Sequence, residues 1–241
     1  MNAVALVTGA AGGMGRVIVQ RLAQDGFSVV AVDRAEDPLR ELGDQLKKEG
    51  LDIQTRVVDL TKEAAIAELI DGLPALSALV NSAGLFDERG FFDLTQDDFR
   101  RTYELNLIAA ASLTQRAAAR MSAGAKVVNI ASRAYLGARH HAHYVASKAA
   151  LVGYTRASAM ELAPKGILVN AIAPGLIDTP MLRALTPERL AAQLALQPTG
   201  QAGTPEDIAN AVSFLAAPGM SFITGQVLFV DGGKSLGGSG A

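Results

Sequence analysis

The sequence predicts a single-domain α/β protein of the Rossmann type, with a doubly wound sheet of about seven parallel strands and helices on both faces. Short β-branched runs alternate with longer segments of helical period, as in strands joined by crossover helices. Most of these runs are apolar throughout, which is typical of strands covered on both faces. A chain of 241 residues is long enough for one well-buried domain and too short for two with a linker.

The strands and helices follow one another in strict order along most of the chain. Strands are predicted at 4–7, 28–32, 53–58, 76–80, 126–130, 168–172 and 227–230, and helices at 13–24, 38–49, 63–71, 95–120, 144–163 and 205–216. The last helix begins with a capping Thr204, Pro205 and two acids. Two segments depart from the alternation: 176–203 is helical and predicts a lid over a site, and the Gly-rich tail 232–241 is predicted to be flexible.

Composition and charge exclude several functional classes. The 22 basic and 24 acidic residues are scattered, which disfavours a nucleic-acid partner. With no Cys, disulfides and thiolate metal sites are excluded, and a reducing, cytoplasmic location is expected. The first residues lack the pattern of a signal peptide, and no apolar run approaches the ~18 residues of a membrane span.

A glycine-rich turn directly follows the first strand. Gly9, Gly13 and Gly15 allow close backbone approach to a pyrophosphate, and the helix that starts there, with Met14 in its first turn, offers free N–H donors. We therefore expect a dinucleotide site, which makes residues 1–241 a dinucleotide-binding and catalytic domain. The alternative is a tight turn in a protein that binds no cofactor.

An acidic residue ends the second strand, about 20 residues after the glycines. Asp33 is placed to accept hydrogen bonds from the adenosine ribose hydroxyls, and its charge would repel a 2′-phosphate, so NAD is predicted over NADP. Arg34 could accept that phosphate if the carboxylate turned away. Asp33 could also be an ordinary surface turn residue.

A Tyr and a Lys lie four residues apart at the start of the fifth predicted helix. Tyr144 and Lys148 therefore share one helix face, and no other Tyr of the chain is followed by Lys at this spacing. A phenol with a pKa near 10 is a poor base, and a neighbouring ammonium favours its anionic form. The alternative for this pair is a solvated helix face.

Together these features make the chain resemble a short-chain dehydrogenase/reductase of the compact type, from Val4 to about Gly233. The resemblance implies further cofactor contacts around the adenine and at the end of the fourth strand. The residues concerned are Asp59, Leu60, Asn81, Ala83 and Gly84. Ser82 stands where the family usually has a second Asn.

The resemblance also supplies the remaining catalytic candidates. Asn106 resembles the helix Asn that positions a water near the catalytic Lys, and Ser132 the serine that bonds the substrate oxygen. Ser132 precedes Tyr144 by 12 residues, one fewer than the commonest family spacing. The segment that grips the nicotinamide carboxamide is matched by Pro174, Gly175, Ile177 and Thr179.

The function implied is hydride transfer between NAD(H) and a small secondary alcohol or ketone, with no metal. Tyr144 would exchange the substrate proton and Lys148 would stabilise the phenolate and bind the cofactor ribose, while Ser132 and Asn106 assist. Two alternatives are a catalytically silent NAD-binding regulator and an extended-type epimerase or dehydratase. The regulator would not need all four residues, and the extended type needs a longer chain.

Three further features have open interpretations. His140, His141 and His143 could form a metal site, line a substrate pocket and favour an anionic or polar substrate, or lie on a solvated loop. Phe86, Phe91, Phe92, Met181 and Leu182 could be a substrate wall, core or a subunit contact. The helix from Tyr144 carries more small and apolar residues than one buried stripe needs, and in the family it packs against a partner, so a homotetramer or homodimer is expected.

Overall fold

A seven-stranded, fully parallel sheet organises the chain. The computed structural model describes residues 3–237. The strand order is β3-β2-β1-β4-β5-β6-β7, so the direction of winding reverses between β1 and β4 and leaves a crevice at the carboxyl ends of the strands. This confirms the predicted Rossmann-type fold. The strands are β1 Val4–Thr8, β2 Ser28–Asp33, β3 Ile53–Val57, β4 Ala78–Asn81, β5 Lys126–Ile130, β6 Leu168–Pro174 and β7 Val227–Val230.

Helices cover both faces of the sheet. They are α1 Gly13–Gln24, α2 Glu36–Lys48, α3 Glu63–Asp71, α4 Gln96–Tyr103, α5 Ala109–Ala118, α6 Ala142–Leu162, α7 Pro180–Arg183, α8 Pro187–Leu194 and α9 Pro205–Ala216. The predicted start of α9 is confirmed: the hydroxyl of Thr204 accepts from the N–H of Asp207, whose carboxylate accepts from the N–H of Thr204.

Two apolar cores lie on opposite faces of the sheet. In β1, Ala5 and Val7 contribute to the core under α1, α2 and α9, whereas Leu6 belongs to the core under α3 and α5. All three residues are fully buried. The strand therefore shows no polar alternation, because its side chains meet a helical layer on either side.

The segment expected to form one helix at 95–120 is interrupted. α4 ends at Tyr103, a π-helical turn spans Glu104–Ile108, and α5 continues from Ala109. A π turn holds one extra residue per turn, so it changes which side chains face inward without breaking the apolar pattern that the prediction used. The fourth strand also starts at Ala78, two residues later than predicted.

The inserted segment and the described part of the tail both contain short helical elements. The predicted lid contains α7 and α8, and its two ends are joined to each other by a parallel bridge between Ile177 and Gly203. Within the predicted flexible tail, Lys234–Leu236 form a 3-10 turn, and residues 238–241 lie outside the described part. Among residues 3–237, no helix has the length and apolarity needed to cross a bilayer.

Candidate active site

The glycine turn after β1 has the shape of a phosphate cradle. Gly9 adopts φ of +66°, and a Cβ on it would lie 2.8 Å from the backbone of the loop after β4. A Cβ on Gly15 would lie 2.0 Å from the carbonyl oxygen of Gly9. α1 begins after Gly12 without a side-chain cap, so its first-turn N–H groups are not satisfied by a neighbouring side chain. The turn therefore fits the pyrophosphate of a dinucleotide.

The carboxylate of Asp33 is tied to this turn. Its Oδ2 accepts from the N–H of Ala11 at 3.0 Å, and its Oδ1 accepts from the N–H of Ala35 at 3.0 Å. The side chain is half-buried at the end of β2, where the next strand over is β1. The acid thus lies beside the cradle, with lone pairs on both oxygens left for other donors.

The residues predicted to contact the adenosine half of the cofactor lie just after the ends of β2 and β3. Asp59 accepts from the N–H and hydroxyl of Thr61 at 3.0 and 2.7 Å, and these bonds lower the pKa of its carboxyl group, to which Arg34 contributes a smaller effect. Leu60 is buried in the core under α3, so its side chain is a structural one. Arg34 is exposed beside Asp33.

The loop after β4 is fastened to β1 by Thr8, the first residue of the glycine-rich turn, which is not among the predicted site residues. The hydroxyl of Thr8 accepts from the N–H groups of Ser82 and Ala83, each at 3.1 Å. Gly84 follows, and a Cβ there would lie 3.4 Å from the ammonium of Lys148. Thr8 was detectable as the polar end of an apolar strand.

Asn81 is placed differently from its predicted role. Its amide donates to Asn129 at 2.8 Å and to Thr114 at 3.2 Å, and the residue is only 4 % exposed. The amide of Asn81 therefore joins β4 to β5 and α5, while its Oδ1 is buried without a hydrogen-bond partner. Its predicted contact with a cofactor stays a prediction.

Tyr144 and Lys148 share one face of the first turns of α6, which corresponds to the predicted helix 144–163, beside the end of β5. The Lys148 ammonium lies 5.8 Å from the centroid of the Tyr144 ring and donates to the carbonyl of Ile130 at 2.7 Å. The hydroxyl of Ser132 faces the phenol closely enough to act on its pKa. The shorter loop between Ser132 and Tyr144 therefore still brings the two hydroxyls together.

Burial acts on both ionisable groups of this pair. Desolvation raises the pKa of the Tyr144 phenol, with an opposing smaller effect from the hydrogen bond to Ser132. Desolvation lowers the pKa of Lys148 to about 8. In the protein without a bound cofactor, the loss of solvent is therefore the larger effect on the phenol pKa. The predicted lowering of that pKa by Lys148 together with a positively charged nicotinamide stays a prediction.

Asn106 lies at the centre of the π turn with its side chain turned inward. Its Oδ1 accepts from the N–H of Leu85 at 2.7 Å, and its amide donates to the carbonyl of Leu85 at 3.1 Å and to the hydroxyl of Ser147 at 2.9 Å. Ser147 in turn donates to the carbonyl of Tyr144. The π turn thus links the loop after β4 to the helix that carries the proton pair.

A cavity of about 700 Å³ opens over the carboxyl ends of β4, β5 and β6. Its floor brings together Ser132, Tyr144 and Lys148. One wall is formed by predicted cofactor residues, namely Met14, Gly84, Pro174, Gly175, Ile177 and Thr179. The methyl group of Thr179 would lie 3.2 Å from a Cβ on Gly13, so this wall continues directly into the cradle.

Further residues of the predicted lid, beyond Ile177 and Thr179, also line the cavity. Met181 and Leu182 line the cavity, and Arg189 of α8 reaches Glu88 in the loop after β4, with both carboxylate oxygens at 3.0 Å. Phe86 also lines the cavity. Phe91 and Phe92 lie elsewhere, with 72 % and 96 % of their surface exposed.

His140 and His141 line the cavity, whereas His143 does not. His141 lines the cavity in edge contact with Phe86 and Tyr144, and burial lowers its pKa. His143 is fully buried outside the cavity, 2.6 Å from a carboxylate oxygen of Asp87. Within residues 3–237 no three His, Cys, Asp or Glu side chains are grouped as metal ligands would be.

Comparison with known proteins identifies the family. A family model described as enoyl-(acyl carrier protein) reductase matches residues 9–235. The chain belongs to the short-chain dehydrogenase/reductase family. It is therefore an oxidoreductase that uses a nicotinamide cofactor on CH–OH or ketone groups, and its fold and order of motifs match the resemblance read from the sequence.

The family contains relatives that extend over nearly all of this short-chain dehydrogenase/reductase. It is 40 % identical to (2S)-[(R)-hydroxy(phenyl)methyl]succinyl-CoA dehydrogenase subunit BbsD of Thauera aromatica, covering 98 % of this chain and 97 % of that one. It is 34 % identical to the 3-oxoacyl-[acyl-carrier-protein] reductase FabG of Vibrio cholerae, covering 97 % of both. A solved structure, a blue fluorescent protein from a metagenomic library in complex with NADPH, has a TM-score of 0.90 at 34 % identity, covering 96 % and 97 %.

Proposed function

We propose that this dehydrogenase/reductase transfers hydride between NAD(H) and a small secondary alcohol or its ketone. The observation that carries the proposal is the meeting of Tyr144, Lys148 and Ser132 at the floor of one cavity whose wall runs into the glycine cradle. A catalytically silent NAD-binding protein would not need a phenol, an ammonium and a hydroxyl directed at the same space.

The chain's own residues handle the proton and the position of the substrate. When bound, the nicotinamide supplies the hydride acceptor or donor. In oxidation the Tyr144 hydroxyl, as phenolate, takes the proton of the alcohol, and in reduction it returns that proton to the carbonyl oxygen. Ser132, whose hydroxyl faces the phenol, donates to the same substrate oxygen and fixes its position.

Lys148 and Asn106 support this proton transfer without contacting the reacting oxygen of the substrate. The Lys148 ammonium stabilises the phenolate and is held in place by the carbonyl of Ile130. Asn106 holds the loop after β4 and the hydroxyl of Ser147, so it positions α6 relative to the cradle. We infer that this arrangement continues the proton path from Lys148 toward solvent.

NAD is the cofactor that the cradle favours. The half-buried Asp33 carboxylate lies where adenosine ribose hydroxyls would be bound, and its negative charge opposes a 2′-phosphate. One similar structure, at 34 % identity, is in complex with NADPH, so relatives of this fold can take the phosphorylated cofactor. In this chain the choice between NAD and NADP therefore depends on whether the repulsion of a 2′-phosphate by Asp33 outweighs its attraction by the exposed Arg34.

The proposal is tested by comparing Tyr144→Phe with Tyr154→Phe. Both tyrosines lie on α6, but the Tyr154 hydroxyl bonds the carbonyl of Ala111 away from the cavity. Hydride transfer is followed as NADH absorbance over a panel of secondary alcohols and ketones, and NADH binding by its fluorescence.

Tyr144→Phe should bind NADH nearly as wild type and lose at least about 100-fold in kcat, the range expected for a general acid–base. Tyr154→Phe should retain activity. A Tyr144→Phe enzyme with wild-type kcat would refute the assignment.

A further inference from the structure

Two cations lie together at one side of the cavity. Arg133 and Lys234 both line it, the first directly after Ser132 and the second in the C-terminal 3-10 turn. They are close enough for the charge of Arg133 to lower the pKa of Lys234, in addition to the larger effect of burial. Holding two like charges together in a partly buried place is unfavourable unless an anion joins them.

Neither cation has a carboxylate partner within the described chain. No ion pair among residues 3–237 includes Arg133 or Lys234. The Nε of Arg133 is buried without a hydrogen-bond partner, and the Lys234 ammonium meets only the amide oxygen of Gln193, at 3.4 Å. The acid lining the cavity, Glu88, is already paired with Arg189.

The backbone positions both side chains. Asp231 is near Lys234, but its two carboxylate oxygens accept from the N–H groups of Gly233 at 3.0 Å and Ser235 at 2.7 Å, which fixes the turn that carries the lysine. The turn that carries Arg133 is fixed in the same way, since Ser132 caps it. Two separate elements thus present their cations to one space.

We propose that Arg133 and Lys234 bind an anionic group of the substrate, a carboxylate or a phosphate carried at a distance from the reacting carbinol. The inference rests on the proposed function and specifies the substrate class of the same cavity. The buried N–H of Arg133 and the ammonium of Lys234 form two charge-assisted hydrogen bonds to this group. The anion thereby orients the alcohol toward Ser132 and Tyr144.

Direct binding tests this assignment without requiring turnover. The wild-type protein, saturated with NADH, is titrated with succinate, methyl phosphate and the neutral succinamide, and binding is followed by calorimetry. Succinate, methyl phosphate or both should bind at least about tenfold more tightly than succinamide, and the stronger of the two identifies the anion. Arg133→Gln and Lys234→Gln should each weaken that binding by about tenfold or more.

Arg133→Lys and Lys47→Gln are the controls. Arg133→Lys keeps the charge and should recover most of the affinity, and Lys47→Gln removes an exposed cation of α2 far from the cavity and should bind as wild type. The inference is overturned if succinamide binds as well as both anions. It is also overturned if Arg133→Gln and Lys234→Gln weaken NADH binding instead, because the cations would then serve the cofactor.

Failure of the inference and failure of the proposed function are separable. If the enzyme oxidises neutral alcohols in a Tyr144-dependent way and shows no preference for anions, only the proposed anion site is refuted. If the protein binds anions through Arg133 and Lys234 but transfers hydride with no substrate, only the proposed dehydrogenase function is refuted.

Discussion

Replacing Asp33 with Asn should shift cofactor preference toward NADP. The substitution removes one negative charge and keeps one oxygen that can accept from a ribose hydroxyl. Two unit charges 4 Å apart near a protein surface interact by about 4 kcal/mol. Because Asp33 is half-exposed, we expect solvent and salt to reduce its repulsion of a 2′-phosphate to about 1–2 kcal/mol, or about five- to thirtyfold in relative affinity.

The same change also has a structural cost. Both carboxylate oxygens of Asp33 accept backbone N–H groups, one from Ala11 in the cradle and one from Ala35. An amide can accept only one of these bonds, so the other N–H loses its partner and the protein should unfold about 1–3 kcal/mol more easily. Urea denaturation measures that loss and separates it from the change in preference.

The assay is the ratio of kcat/KM with NADP to kcat/KM with NAD on one alcohol. The ratio should be well below one in the wild type and rise at least about fivefold in Asp33→Asn, mainly through KM for NADP. Asp52→Asn is the matched control, since it removes an exposed carboxylate just before β3. A wild type that prefers NADP, or a folded Asp33→Asn enzyme with an unchanged ratio, would refute the role given to this carboxylate.

Three further perturbations probe the cradle, the contact between Asp87 and His143, and the lid. Gly9→Ala should lower stability by about 1–3 kcal/mol and abolish NADH binding, because its left-handed backbone and a 2.8 Å contact both oppose a Cβ. Gly26→Ala, left-handed but with open space around it, should lose stability only; equal loss of NADH binding in both variants would contradict the cradle. Asp87→Asn should destabilise the protein at neutral pH, because the carboxyl pKa is lowered by its buried histidine partner. The stabilisation by the Asp87 carboxylate is present above about pH 4 and is lost as the pH falls through the lower pKa of the folded state. The free energies of unfolding of the wild type and Asp87→Asn, measured in urea, should therefore converge in acid. A difference that stays constant with pH would contradict this prediction. Glu88→Gln breaks an exposed ion pair to Arg189, worth about 0–1 kcal/mol, so KM should rise less than about fivefold with kcat unchanged. A large loss of kcat would show that the pair does more than hold the lid.

The sheet could be predicted from the sequence because its strands are short, apolar and β-branched between turns. Val127, Val128 and Ile130 in β5 are fully or almost fully buried, so their composition alone marks a central strand. The glycine turn could also be predicted from the sequence, because the conformation of Gly9 and the close contact at Gly15 leave no room for a side chain. In both cases the local sequence contains the constraint.

The features that the sequence did not predict depend on distant partners. The π turn at Asn106 is stabilised by Leu85 and Ser147, which lie 21 and 41 residues away. The pairing of His143 with Asp87 spans 56 residues. Neither the apolar period nor the local spacing carries such information, because each bond exists only after the sheet has placed the loops side by side.

The pKa of Tyr144 illustrates the same limit in energetic terms. Four-residue spacing to Lys148 correctly put phenol and ammonium on one helix face, but burial raises the pKa of the first and lowers that of the second to about 8. Desolvation thus opposes the charged form of each group, while their mutual attraction is strengthened by the same loss of solvent. An oxidised nicotinamide would add a positive charge to the cavity and so favour the phenolate, whereas a reduced one would add none.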